Sequence, residues 1–421
     1  MNKRILLLIV GLTAFLLALV ATLLLTASTA KAQNLHGTFT GKLDAGMVKL
    51  TIVLNVSPDG TATMESPDQT DQKIPAVTDF LSADSVAVSV PALRATYQAR
   101  LVGDELKGQF AQGVMSLPLT LKAGTIERRR PQTPKAPFPY KTEEVTFINE
   151  QDGATLAGTL SLPTQVESEQ GIVLLMVTGS GQQNRDEELM GHKPFAVIAD
   201  YLARQGIATL RYDDRATAQS TGGDLAKATS EDFARDAEAG IRFLRQDKRF
   251  SKVGVLGHSE GGMIAFMLGS KGLADFIVSL AGPAVSGDSI VWRQLQAMGM
   301  GTGVTVEQVR QQQQASGQPW MQFFSAYDPS DNIRHTTCPV LALNGTKDLQ
   351  VDADMNLAAM RRLLPVNTKN CIKAYDGLNH LFQHCQTGMP TEYADIEETF
   401  SEEVLKDIAT WIIHLTFANY S

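Results

Sequence analysis

The apolar residues of this chain repeat with one period before a proline-rich stretch and with another after it, so the chain has to build two architectures. Between His36 and about Ala123 they fall on alternate positions: Val48, Leu50, Ile52, Leu54 and Val56, then Val86, Val88 and Val90, then Leu117, Leu119 and Leu121. A period of two puts one face of a strand on a core and the other on water. Asp59-Gly60, Gly103-Asp104 and Gly113 interrupt these runs where the chain must turn. Residues 33–127 therefore read as an antiparallel meander, a small all-β sandwich or barrel. No chemistry-bearing motif falls in it, which leaves it an accessory role.

Arg128-Arg129-Arg130 then opens a stretch holding Pro131, Pro134, Pro137 and Pro139. Proline lacks the N–H that a helix interior or a central strand needs, so residues 128–141 read as an extended linker with a solvated basic triplet. From Thr142 the pattern becomes short apolar runs separated by helical segments. A hairpin over 145–148 and 156–162 precedes runs at 172–177, 207–212, 253–256, 276–280 and 340–343. Strands apolar on both faces belong to a mostly parallel sheet covered by helices on both sides. Pro194 to Arg204 reads as one such helix, closed by Gly206. Thr229 or Ser230 caps another, whose inner face is Phe233, Ala237, Ile241 and Leu244. The fold class for 142–421 is α/β, a doubly wound sheet.

Within it the run Val253 to Leu256 passes directly into Gly257-His258-Ser259-Glu260-Gly261-Gly262 and then into the apolar helical segment Met263 to Leu268. A serine on a tight strand-to-helix turn, with glycine two residues to either side, has the context of a nucleophile elbow. A serine hydroxyl needs a base, and the base an orienting acid, in the chain order Ser, acid, His. Asp348 follows the late strand in Asn344-Gly345-Thr346-Lys347-Asp348, where ligands of open α/β sheets bind; Asp352 and Asp354 are its rivals but are better placed to start the next helix. His380 follows the last strand, Ile372 to Tyr375, through a glycine turn, with His384 as competitor. The oxyanion donors expected are the N–H of Glu260 and, from the loop Thr178-Gly179-Ser180-Gly181, that of Ser180, with Gly181 next.

Composition removes several classes. A net charge of −8 over 421 residues supplies no basic face for nucleic acid. No H-E-x-x-H, Walker loop or G-x-G-x-x-G after the first parallel strand occurs, so neither metal nor cofactor is expected. Lys3 and Arg4, an apolar run from Ile5 to Leu25 and Ala30-Lys31-Ala32 form a secretory signal over 1–32, which predicts an exported protein beginning at Gln33, periplasmic or secreted; the same run left uncleaved would anchor it in a membrane. Among three cysteines, Cys371 and Cys385 are the pair that could bridge, with free thiols as the alternative. Oligomeric state is not legible.

The segments Thr178 to Asp186 (TGSGQQNRD), Leu210 to Arg215 (LRYDDR), GHSEGG, Asn344 to Val351 (NGTKDLQV) and Gly377 to His384 (GLNHLFQH) resemble those of bacterial α/β-hydrolase esterases. The likeness runs from Thr142 to the C-terminus and is to the branch with an N-terminal β-rich domain, often labelled serine aminopeptidase-like. It implies the α/β-hydrolase fold and cleavage of small carboxylic esters, short-chain ones foremost, through a serine acyl-enzyme without metal or cofactor. Two departures are visible. Ala216-Thr217-Ala218-Gln219-Ser220 stands where glycines are usual, and the cap, about 289–326, is short, which predicts a reduced lid and an open pocket. Trp320, Phe323 and Phe324 in it read as core, and Arg185, Asp186 and Arg215 as salt-bridged among themselves. A peptidase or amidase would use the same three residues; a non-catalytic binding protein would not require them.

Overall fold

The structure, a computed structural model, describes residues 35–45, 49–69, 72–125, 128–164 and 171–417. The segment read as an export signal, and Val48, lie outside the described residues. The chain divides into two compact units, Met1–Glu127 and Arg128–Ser421.

In the first unit eight strands, β1 (Gly37–Asp44), β2 (Lys49–Val56), β3 (Ala62–Glu65), β4 (Ile74–Leu81), β5 (Ser85–Val90), β6 (Ala95–Val102), β7 (Glu105–Gln112) and β8 (Met115–Ala123), pair antiparallel in chain order. Pairing of Phe39 with Ala123 and of Thr40 with Lys122 joins β8 back to β1, so the meander is a closed barrel. The alternating residues fill it: Ile52, Leu54, Val56, Val86, Val88, Val90, Leu119 and Leu121 are buried together. Tyr97 is buried among them, its hydroxyl 3.0 Å from the Leu106 carbonyl and 3.2 Å from that of Leu119, so the one polar atom it brings inside is satisfied.

The second unit is built on an eight-stranded sheet. Its strands are β9 (Lys141–Asn149), β10 (Ala154–Leu162), β11 (Gly171–Val177), β12 (Ala208–Tyr212), β13 (Phe250–His258), β14 (Ile277–Leu280), β15 (Val340–Gly345) and β16 (Cys371–Tyr375), in the spatial order β16-β15-β14-β13-β11-β12-β10-β9. β9 and β10 form the antiparallel end; β11 to β16 run parallel. The order reverses beside β11, the kind of switch point at which α/β sheets open a crevice. Continuous apolar runs have a plain cause here. Val173, Leu175 and Val177 enter the core on one face, Leu174 and Met176 the core on the other.

Helices α1 (Pro194–Arg204), α2 (Ser230–Gln246), α3 (Glu260–Ser270), α4 (Gly287–Ala297), α5 (Val306–Gln314), α6 (Pro319–Ala326), α7 (Ser330–His335), α8 (Ala353–Leu363) and α9 (Glu402–Phe417) complete the unit. α2 starts at a capping box, the Asp232 carboxylate accepting from the Thr229 N–H at 2.7 Å. α3 carries no polar stripe because all sides of Met263 to Leu268 are buried.

Two expectations need correction. The span 128–141 is not a solvated tether at Arg130, whose guanidinium donates to the carbonyls of Ile396, Met190 and Ala394 at 2.8–2.9 Å, while Gln132 bonds the backbone of Thr399 and Phe400. Cys371 and Cys385 are both free thiols. Cys371 begins β16 and Cys385 folds back beside Gly377, past its far end; five extended residues span roughly 13 Å, more than a disulfide bridges. The cap span consists of three helices, α4 to α6, starting at Gly287. Arg310 on α5 pairs with the buried Asp288 on α4, and Gln314 and Gln322 exchange bonds between α5 and α6.

Candidate active site

β13 ends at His258 and α3 starts at Glu260, leaving Ser259 alone on the turn at φ 53°, ψ −121°. A non-glycine residue held there costs on the order of 1–3 kcal/mol, which the surroundings must offset. The flanking glycines are sterically required. A Cβ on Gly257 would lie 2.0 Å from the Gly261 carbonyl oxygen, and one on Gly261 2.1 Å from that of Val177. The Ser259 N–H donates to Leu280 O at 2.8 Å, so the turn is pinned to β14.

Asp348, three residues past β15, and His380, five past β16, are buried and joined by a 2.7 Å bond from Nδ1 to Oδ2. The other carboxylate oxygen of Asp348 accepts the N–H groups of Gln350 and Val351, both at 2.8 Å, which fixes its orientation. With Nδ1 donating to Asp348, the lone pair of His380 resides on Nε2. Ser259 and His380 line one cavity of about 520 Å³, together with Gly179 and Ser180. The rivals are occupied elsewhere or exposed. Asp352 caps α8 and pairs with Arg293, Asp354 lies exposed in the first turn of the same helix, and His384 is an exposed ring bonded to Glu398.

The loop Thr178 to Gly181 lies against Ser259: a Cβ on Gly179 would be 3.2 Å from the Cβ of that serine. Its Gly179 N–H is already given to Glu187 Oε1 at 2.7 Å, which makes Ser180 the amide to consider for an oxyanion. Asp214 braces the loop from beneath, accepting from the Thr178 hydroxyl and the Gln183 N–H, both at 2.9 Å. Burial pushes the Asp214 carboxyl well above the usual carboxylate range despite those two donors. The rest of the LRYDDR segment serves the same region. Arg211 pairs with Asp186, Asp213 with Arg185, and Arg215 with Asp236, so Arg185, Asp186 and Arg215 are bridged, though to this segment and to α2 rather than to one another.

Glu260 supplies the first N–H of α3 beside Ser259, while its carboxylate is buried and accepts from Ser230 Oγ at 2.5 Å and Trp320 Nε1 at 2.9 Å. Burial raises its pKa, opposed by those donors and by the Ser180 side chain. One side chain thus ties the Ser259 turn to α2, the Thr178 to Gly181 loop and the cap. The cap in turn walls the cavity with Ile290 and Val291 from α4, Gln313 from α5, and Trp320, Met321 and Phe324 from α6. The short span therefore supplies walls to a cavity in which Ser259 stays partly exposed, and Trp320 and Phe324 face the cavity instead of being core alone.

Two further residues escape a reading of the sequence. Glu187, at φ 52°, and His258 both line the cavity. Nδ1 of His258 is 3.0 Å from Glu187 Oε1, and Nε2 is 2.9 Å from the backbone carbonyl of His380. Burial would lower the His258 pKa, but the Glu187 carboxylate and the His380 carbonyl more than offset it, and the net shift is upward.

A family model described as serine aminopeptidase, S33, matches residues 192–329, a stretch that includes Ser259 and ends before Asp348. Esterase EstD of Thermotoga maritima is 28% identical over 276 residues, 61% of this chain and 65% of that relative, so the chain spans about 65% of the relative's length. Among solved structures, the Pyrococcus furiosus esterase Pf2001 is 15% identical over 69% of this chain and 99% of its own, with a TM-score of 0.45. Est1E of Butyrivibrio proteoclasticus, solved with ferulic acid, is 16% identical over 65% of this chain and 100% of its own, with a TM-score of 0.44.

Proposed function

We propose that this α/β-hydrolase cleaves carboxylic esters by transferring the acyl group to Ser259. The observation that carries the reading is the strained, glycine-flanked serine sharing one cavity with a histidine whose Nδ1 is fixed on a buried aspartate. In this scheme His380 Nε2 takes the hydroxyl proton as Oγ attacks the ester carbonyl. The N–H groups of Glu260 and Ser180 hold the oxyanion, and Asp348 stabilises the imidazolium. His380 then protonates the departing alkoxide, leaving an acyl-enzyme, and water enters by the same steps to release the acid.

Short acyl groups suit a cavity walled by Trp320, Met321 and Phe324. The curated relative is named an esterase, which supports ester over amide chemistry, although the matching family model carries a peptidase description. A peptidase acting from a free amino terminus would want an unneutralised carboxylate in the cavity. Glu187 does not fit that need, because His258 already faces it.

The test is a panel of p-nitrophenyl esters of increasing acyl length beside aminoacyl p-nitroanilides, run on the parent and on Ser259→Ala. Turnover falling with acyl length, faster on esters than anilides and absent in the variant, is expected; an active Ser259→Ala protein overturns the mechanism. Export rests on the sequence before Gln33 alone, and sequencing the N-terminus of protein recovered from cell fractions checks it, with Gln33 as the expected first residue.

A further inference from the structure

We propose that Glu187 and His258 act as one buried positioning pair that holds the oxyanion loop and the triad histidine in register across the nucleophile; the proposal rests on the serine-hydrolase reading of Ser259. The pair reaches both halves of the site. On one side Glu187 Oε1 accepts the Gly179 N–H at 2.7 Å, one residue before the amide assigned to the oxyanion. On the other, His258 Nε2 meets the backbone carbonyl of His380 at 2.9 Å, so His380 is held at its backbone by His258 and at its ring by Asp348. His258 is itself the residue before the nucleophile, and the two imidazole rings stand 4.7 Å apart.

The proton count follows from these contacts. A carbonyl only accepts, so Nε2 of His258 carries a hydrogen. Nδ1 faces a carboxylate oxygen at 3.0 Å, and that contact requires one more proton, on Nδ1 or on Glu187. With either placement the pair as a whole is neutral. Neutrality matters here, because a Cβ on Gly179 would lie 3.3 Å from Glu187 Oε1 and 3.2 Å from Ser259 Cβ, which puts the carboxylate close to where negative charge develops. An unbalanced anion at that place would oppose the oxyanion. Phe195, Ile198, Leu280, Leu381 and Phe400 line a space with the two side chains, so little water screens them.

Two features mark the arrangement as more than packing. Glu187 is held at φ 52°, a conformation L side chains rarely adopt. Its Oε2 is buried without a hydrogen-bond partner among the described residues, so the side chain is placed for the two contacts of Oε1 at a cost to its own satisfaction.

The test is a double-mutant cycle on the full chain with p-nitrophenyl acetate as probe, using Glu187→Gln, His258→Asn and the double variant, with Ser259→Ala alongside. Residues that act as a unit give non-additive losses. Each single variant is expected to lower kcat by about tenfold or more, up to about 100-fold, by analogy with the loss when outer partners of metal-binding histidines are removed, with KM moved less than about threefold. The double variant should be no slower than the worse single to within about twofold. A kcat loss below tenfold in either single, or a double-variant loss equal to the product of the two, overturns the pairing. Thermal midpoints show that each variant is folded; if His258→Asn is not, His258→Gln takes its place in the cycle. Activity surviving in Ser259→Ala overturns the hydrolase reading itself, whereas a dead Ser259→Ala beside a fully active Glu187→Gln overturns only the pair.

Discussion

At the residue scale, the sharpest expectation concerns Asp348. Replacing it with Asn keeps its size but lets the side chain present a donor to His380 Nδ1, which would favour the wrong tautomer. On the scale known for other triads kcat should fall about 10⁴-fold with the fold intact, as read by ester turnover and thermal midpoint. Another expectation concerns a histidine that does not line the cavity. His192 is fully buried, with Nε2 at 2.8 Å from the Tyr393 carbonyl and Nδ1 at 3.0 Å from the Thr399 hydroxyl. Burial, reinforced by the Arg130 charge, lowers its pKa from 6.5 to about 4 despite the Tyr393 bond. A histidine kept neutral in the fold stabilises fully above its unfolded value and loses that contribution as pH falls from 6.5 toward 4, at most about 3 kcal/mol. Denaturation midpoints of parent and His192→Gln at pH 7 and 4.5 check this: the parent should lose more on acidification than the variant.

At the scale of elements, the cap and the elbow are joined through Trp320. Changing it to Phe retains a ring in the cavity but removes the indole N–H from the Glu260 carboxylate, leaving a buried acceptor short of a donor. The expected result is a lower kcat on short esters, where the acyl group makes little use of the wall, together with about 1–3 kcal/mol of lost stability. An acyl-length series and a melt report both. Trp320 also shows where a sequence stops being informative. Ser259, Asp348 and His380 are legible as candidates because each sits just beyond a strand whose apolar run is visible, and strand order then places them. Glu187 and His258 follow no such rule, since their bond joins residues 71 apart and depends on how one loop folds over another. Trp320 and Phe324 have the spacing of core aromatics, which says that they are buried but not that a cavity lies on one side. Arg130 looked solvated because its neighbours Arg128 and Arg129 share its charge, and only the folded chain brings three carbonyls to it.

At the scale of the molecule, the barrel has its own core and every strand in it is paired on both sides, so residues 35–125 should fold in isolation. A cooperative melt of that piece, followed by circular dichroism with a β-type spectrum, is the expected outcome; a non-cooperative trace would show that it depends on the rest of the chain. Closure of the barrel also bears on recognition. A sheet with a free border can take in a foreign strand and gain a row of main-chain bonds, a common way for small β domains to capture extended peptides. Among the described residues every strand here has two neighbours, which leaves only short unpaired stretches such as 77–81 of β4, so a molecule it recognises is expected to be read mainly by side chains and loop tips, and truncating β1 or β8 would open a full-length docking edge.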